Sequence, residues 1–351
     1  TPVSEIGNML VITYDDFYDE MIPFVEWKNM KGTPTEMVTL SEIGSTSSDI
    51  DSYIETYYNT NGLTFVLLVG DIGQMPSMDT PYSSHVSDPS YAYIVGDDNY
   101  QDIFIGRFSA QTADQVITQV ERSVEYERDA QDGADWYHKG GGSGSGEGTG
   151  DDNEYDWEHM RNLRYLLENF TYSYVDEFYS GSHGEHDADG EPEISVIMDC
   201  LNEGRSIYNH VGHGAWDGIG WGAMPGWYVL SNDNVNNLEN DNKLPFVVLV
   251  ACNSGEFESY DACFSEVWMR ATNNDEPTGA IGVFASTQSQ SWAPPMEGQD
   301  EIVDLLVSET YNTMGGLTYS GTMSMMDEYG SGCYDETDTW TLFGDPSLQL
   351  R

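Results

Sequence analysis

Residues 244–255 read Leu244-Pro245-Phe246-Val247-Val248-Leu249-Val250-Ala251-Cys252-Asn253-Ser254-Gly255. An unbroken apolar run rich in valine, opened by a proline and closed by small polar residues, is the pattern of a strand buried on both faces, as parallel sheets require. It ends in a cysteine. Upstream, a further strand is expected at Ser206–Val211, ending in Gly212-His213-Gly214. Further strands are expected at Met9–Thr13, Thr35–Leu40, Thr64–Val69, Ile103–Arg107, Tyr172–Phe178 and Gly279–Ala285. Between them lie amphipathic stretches: Phe17 to Trp27 stopped by Gly32 and Pro34, Ser48–Tyr58, the face Val116, Ile117, Val120 and Val124, then Asp156 to Phe170, Glu191–Leu201, Cys263–Ala271 and Glu297–Glu309. Such alternation is the signature of βαβ units. The expected fold class is α/β, with parallel-rich sheets flanked by helices in two adjoining subdomains, residues 1–135 and 136–351. Gly140–Gly150 (GGGSGSGEGTG) reads by composition as a flexible linker.

The chain of 351 residues is long enough for about two domains at roughly 150 residues each. Its 12 Lys+Arg against 61 Asp+Glu give a formal net charge of −49, which repels a phosphate backbone or an anionic lipid surface and excludes nucleic-acid binding and polybasic membrane attachment. No apolar run approaches the length needed to span a bilayer, and no basic segment followed by an apolar one opens the chain. A soluble chain is expected, either cytosolic or with its targeting segment removed. Four cysteines (Cys200, Cys252, Cys263, Cys333) are too few for a disulfide scaffold and fit no zinc spacing. The acid excess fits either a surface that stays hydrated in high salt or a field that gathers cations and cationic substrates.

In open parallel sheets ligands bind outside the carboxyl ends of the strands, where Cys252 and His213 both fall. A thiolate is a strong nucleophile near neutral pH, and a neighbouring imidazole can take its proton and later hand it to a leaving amine. Taken singly, Cys252 also fits a small residue capping a core strand and His213 a glycine-flanked turn histidine. Taken together they point to acyl transfer, with the amides of Gly214 and Cys252 as an oxyanion hole.

The same residues carry a resemblance. Tyr208-Asn209-His210-Val211-Gly212-His213-Gly214, then Leu244-Pro245-Phe246 leading to Ala251-Cys252-Asn253-Ser254-Gly255-Glu256-Phe257, is similar to the catalytic core of the gingipains, caspase-like cysteine peptidases. Ala285-Ser286-Thr287, Ser291-Trp292-Ala293-Pro294-Pro295-Met296, Gly298-Gln299-Asp300-Glu301 and the closing Asp338-Thr339-Trp340-Thr341-Leu342-Phe343-Gly344-Asp345-Pro346-Ser347-Leu348 match as well. So do Phe24-Val25-Glu26-Trp27-Lys28-Asn29, Leu67-Leu68-Val69-Gly70-Asp71 and Phe104-Ile105-Gly106-Arg107-Phe108, so that the likeness covers essentially the whole chain. It is nearest to the arginine-specific members, and to their catalytic region only.

The resemblance implies a caspase-like fold and cleavage after arginine through a thioester, with Cys252 as nucleophile and His213 as general base and acid. Ser145-Gly146-Glu147-Gly148 resembles the acidic site beside the catalytic histidine, which makes Glu147 the group that orients the imidazole and turns Gly140–Gly150 into a strand and active-site loop. Glu147 equally fits one more solvated carboxylate among 61 acidic residues. Asp156 falls where the family places the carboxylate at the bottom of the S1 pocket, suited to the bidentate pair a guanidinium offers; it equally fits a helix N-cap. Gln290, Trp292 and Met296 match the other pocket positions: an amide to bond the guanidinium, an indole to stack along the side chain and an adaptable wall.

By its own pattern, the loop Val95-Gly96-Asp97-Asp98-Asn99-Tyr100-Gln101-Asp102 suits calcium or is an ordinary acidic turn, and it is not an EF-hand. The resemblance implies structural calcium there, held by Asp71, Asp98 and Asp102 with the carbonyls of Val95 and Tyr100, a second calcium near Glu154 and His159, and no organic cofactor. It further implies protein or peptide substrates with arginine at P1, a monomer, secretion or surface display after loss of a prodomain, and a following immunoglobulin-like module. Two rivals share the pattern: a gingipain-like surface transpeptidase, and a non-catalytic calcium-dependent surface module.

Overall fold

The computed structural model describes residues 3–222 and 228–350. Its centre is one ten-stranded sheet, whose strands we number along the chain: β1 Met9–Thr13, β2 Thr35–Thr39, β3 Phe65–Val69, β4 Phe104–Phe108, β5 Lys139–Gly144, β6 Tyr174–Tyr179, β7 Ile207–Val211, β8 Phe246–Val250, β9 Gly282–Ser286 and β10 Trp340–Phe343. They lie in the order β2-β1-β3-β4-β10-β9-β8-β7-β5-β6. Every pairing is parallel except that of β10 with β9. Two parallel blocks of five strands therefore run in opposite senses and meet at one antiparallel seam, and the last strand of the chain joins the first block, beside β4.

Strand alternation sends Val248 and Val250 to one face and Val247 and Leu249 to the other, each into its own apolar cluster. Helices Asp156–Phe170, Ala293–Val307 and Met314–Tyr329 cover the first face of the second block, and Ile194–Glu203 and Phe264–Arg270 the second. The first block is covered by Tyr18–Lys31 and Ala113–Arg128 on one side and Ser47–Asn61 on the other.

The reading of Gly140–Gly150 as a flexible linker is corrected. Lys139–Gly144 is β5, paired in parallel with both β6 and β7 and buried over almost its whole length. The glycines serve close approach rather than flexibility. A Cβ on Gly142 would stand 2.3 Å from Met160 Cε, because helix Asp156–Phe170 packs directly on the strand backbone. Helix Met314–Tyr329 escapes a periodicity reading for a related reason: it is buried all round from Met314 to Thr322 and offers no polar stripe.

Candidate active site

Register brings the two reactive residues together. Val211 and Val250 are direct partners across β7 and β8, and His213 and Cys252 each lie two residues beyond that pair. Contact is close at the strand ends. Gly212 N–H donates to Val250 O at 3.1 Å, and a Cβ on Gly214 would sit 2.4 Å from the carbonyl oxygen of Cys252. Only glycine lets the His213 hairpin (His213–Ala215 with Gly218–Gly220) lie this near the cysteine turn.

Cys252 is half-buried in a turn whose next residue, Asn253, takes the left-handed φ of +56°. That turn is bonded to the end of β9, through Asn253 N–H to Gln288 O at 2.8 Å and Gly255 N–H to Ser286 O at 2.8 Å. The Cys252 sulfur stands 3.8 Å from Gln290 O. His213 Nε2 lies 3.1 Å from Glu147 Oε1, and no protein partner engages its Nδ1 among the described residues. Its ring meets Trp292 edge to face, centroids 5.6 Å apart. A small pocket lined by Val211, Gly212, Ala251, Cys252, Gln290 and Trp292 opens beside the sulfur.

Asp156 begins its helix and is wholly buried. It accepts from Ser145 Oγ at 2.5 Å and from Trp292 Nε1 at 2.9 Å. One bond per oxygen leaves each with capacity for a guanidinium N–H. Burial pushes its carboxyl up to about 6, with the Ser145 and Trp292 bonds opposing the shift. Met296 is buried, and a Cβ on Gly150 would meet Met296 Sδ at 2.2 Å and Trp292 Cδ1 at 2.9 Å, so Gly150 closes the same wall. Gln290 braces the end of β8: its Oε1 accepts from Ala251 N–H at 3.0 Å, and its Nε2 is buried with no acceptor. One lone pair of that oxygen remains for a guanidinium donor.

The five-residue calcium set is also corrected. Asp71 N–H bonds Ala110 O past the end of β4, whereas Asp102 precedes its start. The strand between holds them roughly 20 Å apart at about 3.3 Å per residue. Asp71 is engaged instead by Arg270, Gln111 and the amide of Ile72. Asp98, Asp102, Val95 and Tyr100 do share one loop, in which Asp102 accepts from the amides of Ile94 and Val95 and Asp98 from that of Tyr100.

Glu154 and His159 lie beside three further carboxylates. Asp151, Glu297 and Asp300 bring oxygens within 4.8 Å of one another. His159 is buried; its Nε2 bonds Gln299 Oε1 at 3.0 Å, which fixes Nδ1 as the end facing Asp300 at 3.5 Å and Glu154 at 3.8 Å. That nitrogen has no hydrogen-bond partner. Burial and the surrounding carboxylates push Asp300 up to about 8.

One buried relay was not foreseen from the sequence. Tyr208 OH donates to Ser143 Oγ (3.0 Å), Ser143 lies 2.8 Å from His210 Nδ1, and His210 Nε2 is 3.4 Å from the backbone oxygen of His213. Its signal was present as polar residues at inward positions of strands buried on both faces.

A buried carboxylate socket, a thiol and an imidazole on adjoining loops define the class of an acyl-transferring cysteine site. The chain matches Peptidase family C25 over residues 3–351 and belongs to that family. It is 36% identical to gingipain R2 of Porphyromonas gingivalis across 100% of its own length and 47% of the relative's. To a Lys-gingipain of the same organism it is 22% identical, over 92% of the chain and 19% of that protein. The crystal structure of the Arg-specific cysteine proteinase gingipain R superposes with a TM-score of 0.92 at 36% identity, covering 100% of this chain and 80% of that one. The fold is thereby caspase-like, and the chain spans about half the length of the curated gingipain R2 it matches.

Proposed function

We propose that the chain is a cysteine endopeptidase that cleaves after arginine. The observation that carries this reading is the shared register of His213 and Cys252 beside a buried carboxylate. The P1 guanidinium pairs with both oxygens of Asp156 while its methylenes lie along Trp292 and Met296. His213 takes the thiol proton through Nδ1, and Glu147 on Nε2 holds the ring and faces its positive charge. Sulfur attacks the carbonyl carbon; the amides of Gly214 and Cys252 receive the oxyanion. Collapse breaks the C–N bond, the imidazolium gives its proton to the departing amine, and a thioester remains. Water, deprotonated by His213, then attacks the thioester and releases the acid and the thiol. A small arginyl amide cleaved by the wild type, left intact by Cys252→Ala and cleaved roughly a hundredfold less efficiently by Asp156→Asn is the expected result; equal rates in Cys252→Ala overturn the assignment.

The same reading makes the enzyme a secreted or surface-displayed monomer acting on protein or peptide substrates. No helix among the described residues is long and apolar enough to cross a membrane. Calcium fits two places. The loop atoms of Val95, Asp98, Tyr100 and Asp102 offer hard oxygen donors without Asp71, and the buried, donorless Nδ1 of His159 among carboxylates calls for a cation between them. Bound there, calcium would supply charge neutralisation and rigidity; Glu154, Asp151, Glu297 and Asp300 are the residues that would hold it. Chelation is expected to lower the melting temperature, and Glu297→Gln to weaken the response to added calcium; a melting temperature indifferent to both removes this site.

A further inference from the structure

Outside the catalytic pair and the P1 pocket, two loops carry an aromatic platform that the reaction so far leaves unused. Trp216 follows His213 by three residues at the tip of its hairpin, and Tyr260 lies in the loop that continues from Cys252. The two rings stack with centroids 4.4 Å apart and planes 12° from parallel, yet they remain 37% and 39% exposed. The stack ties the loop after His213 to the loop after Cys252 and leaves part of both rings open to solvent. Their place is informative. The P1 pocket opens on the face covered by helices Asp156–Phe170 and Ala293–Val307, whereas Phe257 and Ile219, next to these loops, belong to the cluster on the opposite face. Because His213 hands its proton to the departing amine, the leaving half of a substrate passes His213, and the hairpin that carries His213 carries Trp216 toward the second face.

Beyond Tyr260 the surface turns acidic. A cleft there is lined by Asp71, Gln111, Glu258, Tyr260 and Asp261. Glu258 Oε1 pairs with His85 at 3.0 Å, but its buried Oε2 has no donor, and the Asp261 side chain makes no hydrogen bond among the described residues. Asp71 is already matched by Arg270.

We propose that the Trp216–Tyr260 stack and the Glu258–Asp261 cleft form the leaving-side subsite, which takes a cationic side chain two or three residues after the scissile bond. Three extended residues reach about 10 Å, the span that three residues of chain put between His213 and Trp216. An aliphatic cation crossing the open outer face of the stack gains cation–π contact, and its charge ends in the cleft beside the exposed Asp261 carboxylate. The proposal rests on the peptidase reading and deepens it: arginine is read before the bond, a second cation after it.

The test uses internally quenched peptides that share one arginine-containing half and carry Lys, Ala or Glu at the second and third positions after the bond. The wild type is expected to favour Lys over Glu in kcat/KM by about tenfold or more at low salt. Because the net charge of −49 favours any cation, the assignment to these residues is read from variants. Trp216→Ala, Tyr260→Ala and the double variant Glu258→Gln with Asp261→Asn should each cut the Lys-to-Glu ratio severalfold, and a ratio is insensitive to the fraction of folded enzyme. A wild-type ratio near one, or a ratio unmoved in all three variants, overturns the subsite. An arginyl amide with a dye leaving group separates the two readings: if the dye is released while the peptide ratio is flat, only the subsite fails; if neither substrate is cleaved, the peptidase reading fails and the subsite with it.

Discussion

Trp292 donates its indole N–H to Asp156 at 2.9 Å, and the same ring stands edge-on to His213. The carboxylate proposed to read the substrate and the imidazole proposed to move the proton are thus joined by one side chain. Trp292 lies between the end of β9 and the head of helix Ala293–Val307, and Asp156 heads the helix on β5, so the socket is assembled from two segments far apart in the chain.

Asp156→Asn should remove most selectivity for arginine. The variant keeps an acceptor for Trp292 or Ser145 but loses the charge that a buried guanidinium needs, an effect of about 3 kcal/mol or roughly a hundredfold in kcat/KM. Steady-state rates on matched P1 arginine and P1 citrulline peptides check this: the citrulline rate should change far less.

Alkylation should be selective for one thiol. Cys200, Cys263 and Cys333 are buried; burial raises the first two well above the usual thiol range, and pushes Cys333 up to about 11. Iodoacetamide at neutral pH is expected to add one label per folded chain, at Cys252, in step with loss of activity. Peptide mass mapping that finds the label elsewhere contradicts the arrangement.

Glu147→Gln should be mild. The Glu147 side chain is 53% exposed, and ion pairs in that setting are worth up to about 1 kcal/mol. A fall of roughly fivefold or less in kcat/KM is expected, with Glu147→Ala lower because the ring also loses its hydrogen bond. Rate–pH profiles of both variants distinguish orientation from charge: only the charge term moves the acidic limb in Glu147→Gln.

Acid should weaken the fold through His210. Burial lowers its pKa from 6.5 to about 4, so it stays neutral when folded while the unfolded chain binds a proton below about 6.5. Its contribution is therefore fully present above pH 6.5 and is lost as pH falls toward 4, by about 3 kcal/mol for a shift of this size. Urea unfolding of His210→Gln should show a flatter slope between pH 6.5 and 4 than the wild type; identical slopes would mean that the relay beneath His213 does not stay neutral.

Much of this protein was legible in its sequence. Buried strands at Met9–Thr13 and Phe246–Val250 follow from runs of mostly aliphatic residues, as an element dehydrated on both faces requires, whereas Ile207–Val211 is equally buried but carries Asn209 and His210, which need hydrogen-bond partners inside. The placement of His213 and Cys252 just past strand ends was legible too, since strand ends in parallel sheets are where side chains escape the ladder. What composition misjudged was Gly140–Gly144: glycine marks flexibility only where nothing packs against it, and here a helix does. The calcium set failed in another way. Asp71 follows the strand expected at Thr64–Val69 and Asp102 precedes the one expected at Ile103–Arg107, so once those two strands pair in parallel the residues lie at opposite ends, separated by the length of a strand. Tertiary structure alone decided the register of β7 against β8, the approach of Gly214 to Cys252, the meeting of Ser145 and Trp292 on Asp156, and the stack of Trp216 on Tyr260. Each is a contact between segments far apart along the chain; local pattern fixes what a residue is and which face it shows, while the partner across that face is set by how the layers pack.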